Sequence, residues 1–316
     1  MGKVESNTPY DDVCRTLTVE CDDLVIPLIN EVFGENYSLK DKVIRRANEH
    51  FLEQQGGAEE KRVTDMLLEI VSKATKQEKK YHIECESSSS DGTILVRIFE
   101  YAAQIALDDG AVIGEKLIVE FPHSAIIFLR SKKTTPKQME ISVRTPGGET
   151  SYFVPALHVR DYTMEDIFKK RLYFLIPFYI FNMESKFSEI EASRDKVEEL
   201  KNFYVDMMLK LEDAVSIGEL TEFSYLEVRD MTNRVVQNLA KNYESIRKGV
   251  GDIMGGKVLV TEVSRARNKG REEEAIAVVE NMLRKGKQPE EIAELCNYAL
   301  SDVKVVQERM LQEQMV

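Results

Sequence analysis

RVTDMLLEIVSKATKQEKKYHIECES, residues 62–87, holds two runs of strand length, RVTDMLLEIV (62–71) and YHIECES (81–87), with a polar stretch between them. Side chains alternate across a strand. Asp65, Leu67 and Glu69 therefore share one face of the first run, and Met66, Leu68 and Ile70 the other. In the second run His82, Glu84 and Glu86 share a face, which Lys80 extends, while Ile83 and Cys85 point the opposite way. Paired as a hairpin, the two runs bring Asp65 beside Glu84. Like charges so placed repel, and a hard divalent cation such as Mg²⁺ offsets the repulsion while keeping positions for water. It also generates hydroxide from bound water and stabilises charge on a phosphate oxygen. A half-buried hairpin whose solvent face is acidic fits the same spacing without a metal, so spacing alone leaves both readings open.

Working outward, the SSSSDG turn (87–92) leads into a helical stretch, ILVRIFEYAAQIAL (94–107). Arg97 and Tyr101 lie four apart on one helix face, with Gln104 near that face a turn further on. They suit a phosphate contact and a brace for the site, or equally a partly buried packing pair. Upstream, DDLVIPLINEVF (22–33) has helical spacing, with a helix expected to begin near Pro27. Downstream, KLIVEF (116–121) and AIIFLR (125–130) read as strands, and MEISVRT (139–145) with TSYFVPALHV (150–159) as a hairpin across Pro146–Gly148. Thr163 in TMED suits a helix N-cap. Residues 186–248 read as two long helices broken at Ser216–Gly218, GVGDIMGGK (249–257) as a linker, and 271–310 as three short helices. The expected fold is an α/β (α+β) core over 1–185, a helical hairpin and linker over 186–256, and a small helical module over 257–316.

Of 316 residues, 43% are hydrophobic and 31% charged, enough for a sizeable core. The net charge of −12 excludes a uniformly basic nucleic-acid-binding shell, so any DNA contact is local or metal-assisted. Cys14, Cys21, Cys85 and Cys296 show no CxxC spacing and read as free thiols of a reducing compartment. MGKVESNTPYDD has no apolar core of a signal peptide, and the apolar run at 172–183 is too short to span a bilayer and contains Pro177. A cytoplasmic protein without a membrane partner is expected; the aromatic run reads as buried core.

Asp65, Glu84 nineteen residues later and a polar Glu86 resemble the D…(D/E)-x-K signature of PD-(D/E)XK nucleases. CDDLVIPLINEVFGENY, NEHFLEQQGG, KRVTDMLLEI, YHIECESS, LVRIFEYAAQIAL, VEFPHSAIIFLR, RTPGGETSYFVPALHV and IFKKRLYFLIPFYIF cover, in order, most of residues 12–182. Together they resemble the PD-(D/E)XK nuclease family transposases, related to bacterial recombination-promoting nucleases. The resemblance implies a restriction-endonuclease-like mixed sheet flanked by helices and a Mg²⁺- or Mn²⁺-dependent DNA endonuclease. Carried over, Asp65 and Glu84 are the metal ligands, with Glu49 as an assisting acid from a preceding helix. Arg97, Tyr101 and Gln104 then face the substrate. The third signature position, lysine or glutamine in such proteins, is Glu86 here. It adds negative charge where the substrate is anionic. Glu86 is then an extra ligand, or Lys80 supplies the missing charge, or the enzyme is impaired.

The last helices imitate a helix–turn–helix in length, but residues 271–316 carry six Lys/Arg against ten Asp/Glu. A recognition helix presents cations to phosphate, so this module reads as a packing or homo-oligomerisation element. An inactive nuclease-like fold serving protein–protein contact is the rival expectation for the whole chain.

Overall fold

The computed structural model describes residues 9–46, 49–53, 59–87, 93–255, 279–285, 287–289, 291–292 and 306–307, without the side chains of 20, 49–53 and 59–63. Met1–Gly255 forms one compact unit and Gly256–Val316 a second.

Two helices open the first unit, α1 (Pro9–Glu20) and α2 (Asp22–Phe33). Each carries acids in its first turn, where the helix dipole favours negative charge. α2 starts at Asp22 rather than near Pro27, which lies inside it. A proline there forfeits the bond to the Asp23 carbonyl and crowds that carbonyl with its ring. Burial of Leu24, Val25, Ile26, Leu28 and Ile29 outweighs that loss, and Gly34 closes the helix at φ 67°.

The strands are β1 (Lys42–Arg45), β2 (Glu49–Glu53), β3 (Glu59–Val63), β4 (Met66–Val71) and β5 (Glu78–Glu86), then helix α3 (Thr93–Asp108). After it come β6 (Ala111–Ile113), β7 (Lys116–Ile118), β8 (His123–Phe128), β9 (Gln138–Thr145) and β10 (Gly148–His158). Six of them form one mixed sheet in the order β1-β4-β5-β8-β10-β9. β1, β4 and β5 run antiparallel, β5-β8 and β8-β10 pair in parallel, and β9 closes antiparallel on β10. A parallel step needs a crossover, and α3 provides it between β5 and β8. The run KLIVEF does not stay a single strand: only Lys116–Ile118 pairs, as an exposed hairpin with β6, before the chain enters the buried β8. Its apolar residues Val112, Ile113, Leu117 and Ile118 stay exposed.

The sheet is covered on both faces. Register sets Ile126 beside Glu84 and Ala156 beside Ile126. α3 lies over this face, burying Ile94 and Ile98 against Ile126, Phe128, Ile141, Val154 and Ala156. The opposite face carries Tyr81, Ile83, Cys85, Ala125 and Ile127, all buried. α1 packs against β4 and β5 there. On this side Cys14 and Cys85 are joined as a disulfide, which corrects the free-thiol reading for that pair. Seventy-one residues separate them, so no local spacing announces the pairing. Cys21 is a buried free thiol.

Beyond β10, Thr163 makes a capping box with Asp166 at the start of α4 (Met164–Lys169). The aromatic run Tyr173–Lys186 forms a buried 3-10 segment, followed by α5 (Phe187–Glu191), α6 (Arg194–Ser216), α7 (Glu222–Leu239) and α8 (Glu244–Gly255). α7 packs on both the 3-10 segment and α1. GVGDIMGGK is not a linker through Gly255, because α8 runs over it. Two of its glycines sit close to neighbours: a Cβ on Gly249 would lie 3.1 Å from Lys201 Cγ, and one on Gly251 3.0 Å from the Gln237 amide nitrogen. Gly249→Leu is accordingly expected to destabilise the unit by about 1–3 kcal/mol in a denaturant titration, the usual range for overpacking. Unchanged stability would show that the Lys201 side chain swings aside to make room.

In the second unit, Val279 and Ile292 are buried with Met282, Leu283 and Val306 against them. The three-helix reading of 271–310 falls mostly outside the described residues.

Candidate active site

β4 and β5 pair with Met66 opposite Ile83 and Leu67 opposite His82. Asp65 stands in the bend just before β4, one residue beyond that ladder, beside Glu84. The two are locked reciprocally: the Asp65 backbone N–H donates to Glu84 Oε1 at 3.3 Å, and the Cys85 N–H donates to Asp65 Oδ2 at 3.0 Å. Asp65 is 4% and Glu84 3% exposed, so two carboxylates meet in a largely water-free corner. Burial pushes the Asp65 carboxyl well above the usual carboxylate range, and the charges of Glu84 and then Asp11 add to the push. The Cys85 N–H and Arg15 oppose it.

Two guanidinium groups offset the negative charge. Arg15 reaches from α1, with Nη2 3.4 Å from Asp65 Oδ1 and Nη1 3.3 Å from Asp12. Arg97 reaches from α3, with Nε 3.2 Å from Glu84 Oε2 and Nη2 3.2 Å from Glu86 Oε2. Behind Glu84 sits His82, wholly buried. Its Nε2 lies 3.1 Å from Glu84 Oε1 and its Nδ1 3.2 Å from Ser124 Oγ. Burial, with a smaller push from Arg97, holds the imidazole down to about 3, so the ring is neutral at physiological pH. Tyr101, also buried, meets the His82 ring edge-on at 5.8 Å.

Asp65, Glu84, Glu86, Arg97 and Tyr101 are thus gathered in one place, while the other expected residues are not. Lys80 points along the same face but opposes Glu69, four residues from Glu84, roughly 13 Å away at the rise of a strand. Its ammonium pairs with Asp109 and lies 3.8 Å from Glu69. There it lines a cavity of about 370 Å³ with Arg46, Glu78 and His123. The positive charge near Glu86 comes from Arg97 instead of Lys80. Gln104 donates to Asp108 at 2.7 Å on its own helix and stays out of the site. Glu49 lies on strand β2, not on a helix, with Val63 as its register partner; its side chain is outside the described residues.

Arg15 and Ser124 carry no sequence signal for the site. Arg15 is fifty residues from Asp65 and belongs to no motif. Ser124 becomes a partner only through the parallel register that sets it beside His82.

Among the described residues no group of three or more His, Cys, Asp or Glu side chains converges as a metal cage. The donor set fits Mg²⁺ all the same, because that ion is bound through one or two carboxylates with water and substrate phosphate completing its shell. Asp65 and Glu84 are such a pair. Comparison with models of protein families, with curated proteins and with solved structures gives no match to this chain. No helix among the described residues is long and apolar enough to cross a membrane.

Proposed function

We propose that this chain is a Mg²⁺-dependent DNA endonuclease of the transposase-associated PD-(D/E)XK type. One observation carries the reading: Asp65 and Glu84 meet, hydrogen-bonded and buried, at the end of an antiparallel strand pair in a helix-flanked mixed sheet. The order of the quoted stretches supports it, because the same two residues stand at the acidic positions of the signature they resemble. Asp65 and Glu84 would hold the ion. A Mg²⁺ ion held by them would supply Lewis acidity toward water and a scissile phosphate. Glu86, in the lysine position, lies 3.2 Å from the Arg97 guanidinium, which would offset its charge. The guanidinium forks of Arg97 and Arg15 also suit phosphate oxygens, so both are candidates for neutralising the substrate. With a net charge of −12, DNA contact would be local to this corner.

The test is nicking of supercoiled plasmid in Mg²⁺ or Mn²⁺, with Asp65→Ala beside the wild type; equal nicking by both ends the proposal. Lys80→Met should lower the rate by less than about threefold, under 1 kcal/mol of barrier, because Lys80 is committed to Glu69 and Asp109. A loss of tenfold or more would return Lys80 to the site.

The Arg97 bridge between Glu84 and Glu86 favours a second reading, a nuclease-like fold kept for protein contact, since a fixed guanidinium there already satisfies the acids. Calorimetric titration with Mn²⁺ separates the two. Saturable binding lost in Asp65→Ala supports the nuclease, and no binding near physiological metal concentration supports the scaffold.

A further inference from the structure

We propose that His82, set by Ser124, is a positioning residue that fixes the Glu84 carboxylate for metal binding; the inference rests on the metal reading above. A wholly buried histidine on a central strand needs partners for both ring nitrogens, since a buried polar group left unpaired is costly. Here both are supplied by neighbours on the same sheet face, Ser124 Oγ at 3.2 Å and Glu84 Oε1 at 3.1 Å. The chemistry of these partners dictates the direction of each bond. A carboxylate oxygen only accepts, so Nε2 carries the proton and donates to Glu84. Nδ1 is then the acceptor, and the Ser124 hydroxyl donates to it.

Ser124 thereby selects the tautomer, and the tautomer places a donor on Glu84. Glu84 Oε1 also accepts the Asp65 backbone N–H at 3.3 Å. Two donors on one oxygen fix the rotation of the carboxylate plane. Tyr101, edge-on to the ring, restrains the ring from the α3 side. An apolar side chain would fill the same volume without the donor, so packing alone does not account for the Ser124–His82–Glu84 chain. A carboxylate ligand oriented by such an outer partner binds metal more tightly than a free one.

The test uses the full chain and Mn²⁺ alone, titrated by electron paramagnetic resonance. His82→Leu should weaken Mn²⁺ binding by about tenfold or more, the usual effect of losing an outer-shell partner. His82→Gln, whose amide nitrogen reaches the place of Nε2, should restore affinity to within about threefold of wild type. Ser124→Ala should fall between the two. Wild-type affinity in His82→Leu, or His82→Gln as weak as His82→Leu, overturns the proposal. If His82→Leu does not fold, Ser124→Ala decides, and wild-type affinity there overturns it. An independent readout is the ¹⁵N spectrum of the imidazoles in metal-free protein. A neutral His82 ring protonated on Nε2 is expected, and protonation on Nδ1 overturns the assignment. Asp65→Ala keeps the two ideas apart. Binding lost in Asp65→Ala but intact in His82→Leu rejects the role of His82 alone; no saturable binding by the wild type rejects the metal reading and this inference with it.

Discussion

Asp65→Asn is expected to abolish metal-dependent nicking while making the protein more stable. Asparagine keeps the shape of the side chain and an oxygen for the Cys85 N–H, but it removes the charge a cation would require. A loss of about 10³-fold in rate corresponds to roughly 4 kcal/mol of transition-state stabilisation, in the range a catalytic metal supplies. The stability gain has a different origin. In EDTA, Asp65 is a buried acid beside Glu84, and its carboxyl is held well above the unfolded range by burial and by that neighbour. The folded state therefore binds the proton more tightly than the unfolded state. Under linkage, stability is lost as pH rises above the unfolded value near 3.8. The advantage of Asp65→Asn should be absent below that pH and open above it. It should grow toward neutrality and be read as a higher Tm for Asp65→Asn than for wild type there, with the two melts converging in acid. Thermal melts of both proteins from pH 3 to 8, beside plasmid assays, read the two effects. A variant both inactive and less stable at neutral pH would mean that Asp65 is a structural residue.

Arg97→Met should produce the largest loss of stability. Glu84 is 3% exposed, and the Glu86 side chain is only 13% exposed, so both depend on the guanidinium between them. Removing one partner of a buried ion pair leaves the other charge uncompensated, a loss of roughly 3–5 kcal/mol. The Arg97 side chain is itself 25% exposed, which argues for the lower end, about 3 kcal/mol, or a Tm fall of about 6–12 °C. Methionine keeps the packing stem, so the measured loss reports charge. Adding Glu86→Gln should recover part of the loss, because one of the two stranded acids is then neutral, and a double-mutant cycle reads the coupling. If Arg97→Met unfolds within 1 kcal/mol of wild type, water rather than Arg97 compensates these acids. Because Arg97 also faces the proposed phosphate site, the variant should lose activity even at temperatures where it is folded.

How far the sequence reaches into this site depends on the range of the interaction that sets each residue. Strand alternation is local, and the β4–β5 hairpin is short, so the meeting of Asp65 with Glu84 follows from residues 62–87 once they pair. The α3 spacing likewise brings Arg97 and Tyr101 to one face. The same local logic failed where the environment decided. GVGDIMGGK has the composition of a linker, yet burial of Val250, Ile253 and Met254 carries α8 through it to Gly255. KLIVEF has the composition of a buried strand, yet only half of it pairs, on an exposed hairpin. Lys80 shares the face of Glu84, but a shared face is not a shared place: at strand rise four residues carry it to Glu69.

By itself the sequence determined the mixed α/β class, the hairpin that joins the two acids, and the capped and periodic helices that follow, because these rest on alternation, turn chemistry and caps within a few residues. Only the tertiary structure decided what surrounds the acids. Arg15 comes from a helix fifty residues upstream, Ser124 from a parallel strand across a crossover, and Cys14 meets Cys85 through the opposite layer of the sheet. Such partners are chosen by packing and register between distant segments, which leave no mark at short spacing. The acid pair of Asp65 and Glu84 was legible in the chain; the cationic and imidazole frame that holds it existed only once the sheet and its two helical layers had formed.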